Sequence, residues 1–263
     1  MRVYIGCSGF YYPEWIGLFY PPHIKRDELL RYYEKYFVVV ELNFSFYRFP
    51  DRGTLKSMLS RTRELKFSLK ANRLFTHVRS YTQKDVDSFL YQIEPLLKEE
   101  ERFIALLFQF PESFHYSEES LAYIEKLAKD FSGVQKVIEV RSKSFKRADF
   151  YSFLEGIGFS LVNVDAPKKG FLVGPWVSVG SINYVRIHGR NEENPYDYLY
   201  SLEELKKLRD KIKKLGDKDT YVFFNNTPKA KAVYNALELK NLMGYPADIP
   251  KSLERSFLER EWE

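Results

Sequence analysis

Val137-Ile138-Glu139-Val140-Arg141 alternates apolar residues with a carboxylate and a guanidinium. Side chains alternate along a strand, so Glu139 and Arg141 share one face, and Ile138 and Val140 the other. Seven further runs are built alike, at residues 3–8, 38–43, 67–72, 103–109, 161–165, 184–188 and 221–226. Each is short, rich in Val, Ile and Phe, and ends in polar residues, the pattern of a strand buried on both faces. Helical stretches separate them, which implies a parallel sheet. Eight such units in 263 residues predict an α/β fold, a single TIM-like (β/α)8 barrel. The polar strand ends would then meet at the C-terminal rim, where barrels of this kind build their active sites.

The intervening helices are expected at 26–37, 82–98 and from Ser117 through 129, with shorter ones at 53–63 and 147–156. Ser201 and Glu204 form a capping box before Leu205, Leu208 and Ile212. Thr227-Pro228 reads as another helix start. After the sixth strand, APKKGFLVGPWVSVGS carries Pro167, Gly170, Gly174 and Pro175, so an irregular connection is expected to replace a helix there. Residues 1–244 form the predicted barrel domain, and 245–263 a C-terminal appendage packed on the same domain.

With 41 basic and 36 acidic residues the chain is mildly basic, which suits an anionic ligand. Cys7 is the lone cysteine, so no intrachain disulfide can form. MRVYIGCSGF lacks signal-peptide architecture, and no run is long enough to span a bilayer. A cytoplasmic protein without membrane association is expected. Phosphate loop, Rossmann fingerprint and C-x-x-C pair are all missing.

GCSGFYYPEWIGLFYPP, VELNFSFYRFP, LKANRLFTH, FQFPESF, EVRSKSF, VNVDAP, YVRIHGR and VFFNNTPKAKAVYNALEL, in that order, resemble the YecE-like family, domain of unknown function 72. The resemblance runs from about residue 1 to 243 and implies a TIM-barrel-like fold and no particular activity. Departures from the family pattern are Phe10 and Phe145 where Trp is usual, Cys7 where Thr is usual, and Thr227 after the asparagine pair.

At the rim, Glu139 and Asp165 are the leading acid/base candidates, with Glu41 and His188 as further catalytic candidates. Desolvation would raise the carboxyl pKa values, and Arg141 and Lys70 would lower them. The substrate-binding candidates are Ser8, Asn43, Lys70, Asn72, Gln109, Arg141, Asn163, Arg186, Arg190, Asn225 and Asn226. The competing reading of the same charges is a salt-bridge lattice that closes the barrel mouth. A phosphate is expected at the helix N-terminus at Thr227, beside Asn225, Asn226 and Arg186 or Arg190. The alternative there is an ordinary capped helix.

Only four histidines are present, and of these His188 alone ends a strand. No multinuclear zinc cluster is expected. At most one divalent cation would sit among Glu139, Asp165 and His188. The aromatic belt of Phe10, Tyr11, Tyr12, Trp15, Phe44, Phe46 and Tyr47 would either pack the loops or stack on a ring. The functional expectation is a hydrolase, lyase or isomerase that binds a phosphorylated or otherwise anionic small molecule. The alternatives are a nucleic-acid-binding protein or phosphodiesterase, and a non-catalytic binding barrel.

Overall fold

The computed structural model describes residues 1–258 except 168, 172, 173 and 175. The strands are β1 (Val3–Ser8), β2 (Val39–Leu42), β3 (Lys66–Lys70), β4 (Phe103–Gln109), β5 (Lys136–Glu139), β6 (Phe159–Asp165), β7 (Asn183–Ile187) and β8 (Thr220–Phe224). They close in chain order into a parallel barrel, and β1 completes the ring by pairing Val3–Cys7 with Thr220–Phe224. The predicted barrel is therefore the observed one. Asn43, Asn72, Arg141, Asn225 and Asn226 lie just beyond the paired strands, in the loops that form the rim.

Helices α1 (Leu29–Glu34), α2 (Arg52–Arg61), α3 (Gln83–Leu97), α4 (Glu118–Asp130), α5 (Ala148–Gly156), α6 (Leu202–Lys213) and α7 (Lys231–Leu242) lie between or after the strands. α1 is shorter than the 26–37 stretch because residues 26–28 form a turn. Ser117 caps α4 by accepting from Ser120 N–H at 3.1 Å. The capping box at Ser201 and Glu204 forms as expected. The last expected start differs. Pro228–Ala230 makes a separate 3-10 turn, Lys229 and Ala230 take left-handed φ, and the Thr227 side chain caps nothing. That turn is tied to the β1 loop, since Lys229 N–H donates to Glu14 Oε1 at 3.0 Å and Trp15 Nε1 donates to the Thr227 carbonyl at 2.8 Å.

Among the described residues no helix joins β6 to β7. Pro175, one of the breakers that predicted this, lies outside them. The connection is strapped to β6 instead. The Asn163 amide accepts from Val177 N–H and donates to the Val177 carbonyl, and Trp176 Nε1 donates to the Val164 carbonyl.

Tyr33 of α1 wedges into the β1–β2 seam. Its hydroxyl accepts from Cys7 N–H at 2.8 Å and donates to the Val39 carbonyl at 3.1 Å. Gly6 leaves the room, because a Cβ there would stand 2.1 Å from the Val39 oxygen. Outside the strands, one apolar layer packs the helices on the barrel; inside, a smaller cluster of Val39, Ala105, Leu107, Val137, Val162, Val164, Tyr184 and Phe223 fills the lower barrel. After α7, α8 (Lys251–Leu258) buries Leu253 and Phe257 in the outer layer. Residues 259–263 of the expected appendage lie outside the described residues.

Candidate functional site

Strand parity decides which polar groups enter the barrel. Register pairs Val162 with Tyr184 and Val164 with Arg186, and Tyr184 and Arg186 reach across the interior. The inward residues of β6 are therefore Val162 and Val164, and Asn163 and Asp165 point outward. This corrects the expectation that Asn163 and Asp165 line the pocket. With no helix over β6 among the described residues, its outer face is covered by loop whose backbone groups need partners, and polar residues belong there. Asp165 receives Arg190 through two hydrogen bonds of 2.8 and 2.9 Å, and Tyr200 Oη at 2.8 Å. Arg190 also donates to Glu204 at 2.8 Å, so it clamps the loop after β7 onto α6 and is not free for a phosphate. Asn226 faces outward as well and donates to Asn235 and the Tyr198 carbonyl.

Above the apolar plug lies a layer of paired charges. Arg186 grips Glu41 with Nε and Nη2 at 3.0 and 2.9 Å, and donates from Nη1 to Glu139 Oε2 at 2.5 Å. Ser8 Oγ and Tyr184 Oη each donate to Glu41 at 2.7 Å, and Arg141 Nε reaches Glu139 at 3.2 Å. Glu41, Glu139 and Arg186 are each at most 2% exposed. Burial opposes ionisation of both carboxyls, but the Arg186 guanidinium outweighs it. Glu41 is held below its ordinary pKa, and Glu139 well below it with added help from Arg141. These two carboxylates are fixed counter-ions, paired as the competing reading had it but beneath an open cavity and not closing the barrel mouth, and are poorly suited to exchange protons near neutrality.

His188 is fully buried against Phe171 and Tyr196. Its Nδ1 lies 3.0 Å from the Asn225 amide nitrogen. With that amide donating, the imidazole proton sits on Nε2, 3.9 Å from Glu139 Oε2 and without a hydrogen-bond partner. Burial pushes the imidazole down to about 4, so it is neutral at physiological pH. Glu139, Asp165 and His188 do not converge, because Asp165 is on the other side of the β6 backbone. Among the described residues no group of three His, Cys, Asp or Glu is arranged to hold a metal.

A cavity of about 750 Å³ opens above this layer. Lys70, Gln109, Arg141, Arg186, Asn43 and Asn225 line it, so six of the predicted residues are brought together. Asn72 is spent on the loop, donating to the Ser45 carbonyl and accepting from Leu74 N–H. Lys70 Nζ donates to Gln109 Oε1 at 2.8 Å and sits 4.1 Å from the Phe46 ring centroid. Among the described residues it has no carboxylate within 4.0 Å. Burial, then the Arg186 charge, pulls its pKa down to about 7, against partial support from Glu139 and Glu41. Sequence reasoning missed His77, Glu112 and Tyr196 in the wall. None of them ends a strand, so the signal used for the others could not find them. Tyr184 and Ser68 were also missed, although each stands two residues before a predicted interior residue, on the same face. The aromatic belt divides: Trp15 is buried packing, while Tyr12, Phe44, Phe46 and Tyr47 line the cavity.

The expected anion site at Thr227 is already used by the chain, since Glu14 takes the Lys229 N–H. Thr227 and Pro228 contribute to the cavity wall only.

Comparison with known proteins agrees with this architecture. The family described as Protein of unknown function DUF72 matches residues 4–256. The UPF0759 protein YunF of Bacillus subtilis is 27% identical over 96% of this chain and 99% of its own length. A DUF72 family protein of Thermotoga maritima, solved by crystallography, superposes with a TM-score of 0.85 at 38% identity, covering 93% of this chain and 100% of that one. A DUF72 family protein of Enterococcus faecalis gives 0.82 at 22% identity, covering 94% and 97%. Among the described residues no helix is long and apolar enough to cross a membrane.

Proposed function

The chain belongs to the DUF72 family, and on that premise we propose that its rim cavity binds a phosphorylated or otherwise anionic small molecule. Arg141 and Lys70 hold the anion, and Lys70 moves a proton to or from the ligand. The supporting observation is the disposition of charge around one cavity. Lys70, Arg141 and Arg186 line it from three strand ends, while Glu41 and Glu139 beneath are both engaged by Arg186. The Nη groups of Arg141 make no hydrogen bond among the described residues, and its guanidinium lies 4.5 Å from the Phe171 ring centroid. An anion there would gain charge-assisted hydrogen bonds from both cations. Glu112 is the carboxylate in the wall, and it stands at the exposed outer edge.

An amine poised near neutrality exists in both forms at working pH, which suits general acid/base chemistry of the hydrolase, lyase or isomerase kind. Lys70 therefore takes the role that residue type alone would give to Glu139 or Asp165.

Calorimetric titration with inorganic phosphate tests the binding half. Arg141→Ala and Lys70→Met should each weaken affinity by roughly tenfold, as expected for removing a charge-assisted contact. Unchanged affinity in both variants overturns the reading. The salt dependence should be shallow, as for one bound phosphate. A steep dependence, with an oligonucleotide bound far more tightly than phosphate, would favour the nucleic-acid alternative.

A further inference from the structure

A second chamber of about 450 Å³ adjoins the first, and the two share Tyr12, Asn43 and Phe44 as common wall. Its character is different. Phe10, Leu42, Phe49 and Met58 give it an apolar lining, and its charged residues, Arg26, Arg48 and Asp51, stand on its exposed side. Asn43 stands at the junction. Its Oδ1 is buried with no hydrogen-bond partner, and its side chain does not cap the 3-10 turn that it precedes. A buried acceptor left unsatisfied is costly, so a ligand donor is its natural complement.

We infer that the ligand is an elongated ring-bearing anion: its anionic head lies between Lys70 and Arg141, an N–H or O–H in its middle meets Asn43 Oδ1, and its ring enters the apolar chamber. This deepens the proposed function and rests on it. Each part of the ligand follows from a different observation: the head from the cations, the donor from the orphaned amide oxygen, and the ring from the apolar wall. A free inorganic anion would leave the second chamber and Asn43 unused. The chamber is large enough for one ring system, and its aromatic members favour a flat occupant. Gly9 leaves room for Tyr12 in the shared wall. It takes φ of +85°, and a Cβ there would meet the Tyr12 hydroxyl at 2.7 Å, so a side chain at this position would displace the Tyr12 ring from the shared wall.

The test compares inorganic phosphate with phenyl phosphate on the whole protein. Phenyl phosphate should bind at least about tenfold more tightly, from the apolar surface its ring buries. Met58→Trp, which fills the apolar chamber, should abolish that advantage and leave phosphate affinity unchanged. Thr54→Phe, from the exposed side of α2 and lining the same chamber, serves if Met58→Trp does not fold. A ring that adds no affinity, or an advantage that survives in a folded filled variant, overturns the inference while leaving the anion site standing. Phosphate binding that is absent, or indifferent to Arg141→Ala, overturns the anion site and this inference with it. Comparing 2-hydroxyphenyl phosphate with phenyl phosphate probes the junction: the added hydroxyl should improve binding in the native protein and give no gain in Asn43→Leu. A gain of equal size in both would remove Asn43 from the assignment.

Discussion

Lys70 and Asp165 illustrate how little a residue type says before its surroundings are known. Both end strands. Lys70 points into the cavity with an amide for a partner, and Asp165 points out at an arginine and a tyrosine. Lys70 has a testable titration. In the folded protein its amine loses its proton at about 7, whereas the ordinary value is 10.5. Between those values the unfolded chain holds more protons, so Lys70 makes stability rise with pH across the window, and its penalty is complete below about 7. Urea midpoints measured from pH 6.5 to 10 should climb more steeply for the native protein than for Lys70→Met. Parallel curves would show an ordinary lysine. His188 titrates with the same sign at lower pH. Its folded value of about 4 lies below the ordinary 6.5, so its contribution is present above 6.5 and lost as pH falls through 4. Imidazole nitrogen shifts should report a neutral ring at pH 5.5; a protonated ring at that pH would contradict the burial argument.

At the scale of elements, the strands were legible because each carries its own apolar run and turn signals. The polar ends of β2, β3, β4, β5 and β7 were read to the right face, since Glu41, Lys70, Gln109, Glu139 and Arg186 all point inward or line the cavity. β6 was not. Its alternation of Val with Asn and Asp fits either face, and only register against β7 fixes it. That no helix follows β6 among the described residues was visible in the breakers. What was not visible is its consequence, that the outer face, covered by loop in place of a helix, would become the polar one. The same blindness affected the turn at Thr227, because Glu14 is remote in sequence. Asp165 and Arg190 should therefore act as a clamp. A double-mutant cycle of Asp165→Asn with Arg190→Ala should give a coupling of about 1–2 kcal/mol, discounted for the partial exposure of Arg190. Neither change should alter phosphate affinity. Loss of phosphate binding in Arg190→Ala would return that residue to the ligand site.

For the whole molecule, barrel and site are linked through Arg186. It joins β7 to β2 and β5 across the interior, above the apolar plug and below the cavity. Bringing these ions out of water is expensive, and the layer holds because each charge meets an opposite one. Removing one partner leaves the others uncompensated. Arg186→Met should cost about 3–5 kcal/mol of unfolding free energy, with the two carboxyl pKa values rising as the guanidinium is lost. A loss below about 1 kcal/mol in denaturant titrations would mean that the layer is hydrated and far weaker than its geometry implies. The floor of the cavity is thus a rigid, self-neutralised platform. The positive charge left to a ligand belongs to Lys70 and Arg141 at the rim. Crystals soaked in phosphate test that most directly. The account predicts tetrahedral density between Lys70 Nζ and the Arg141 guanidinium; density at the Thr227–Lys229 turn in place of that position, or none anywhere in the cavity, would contradict it.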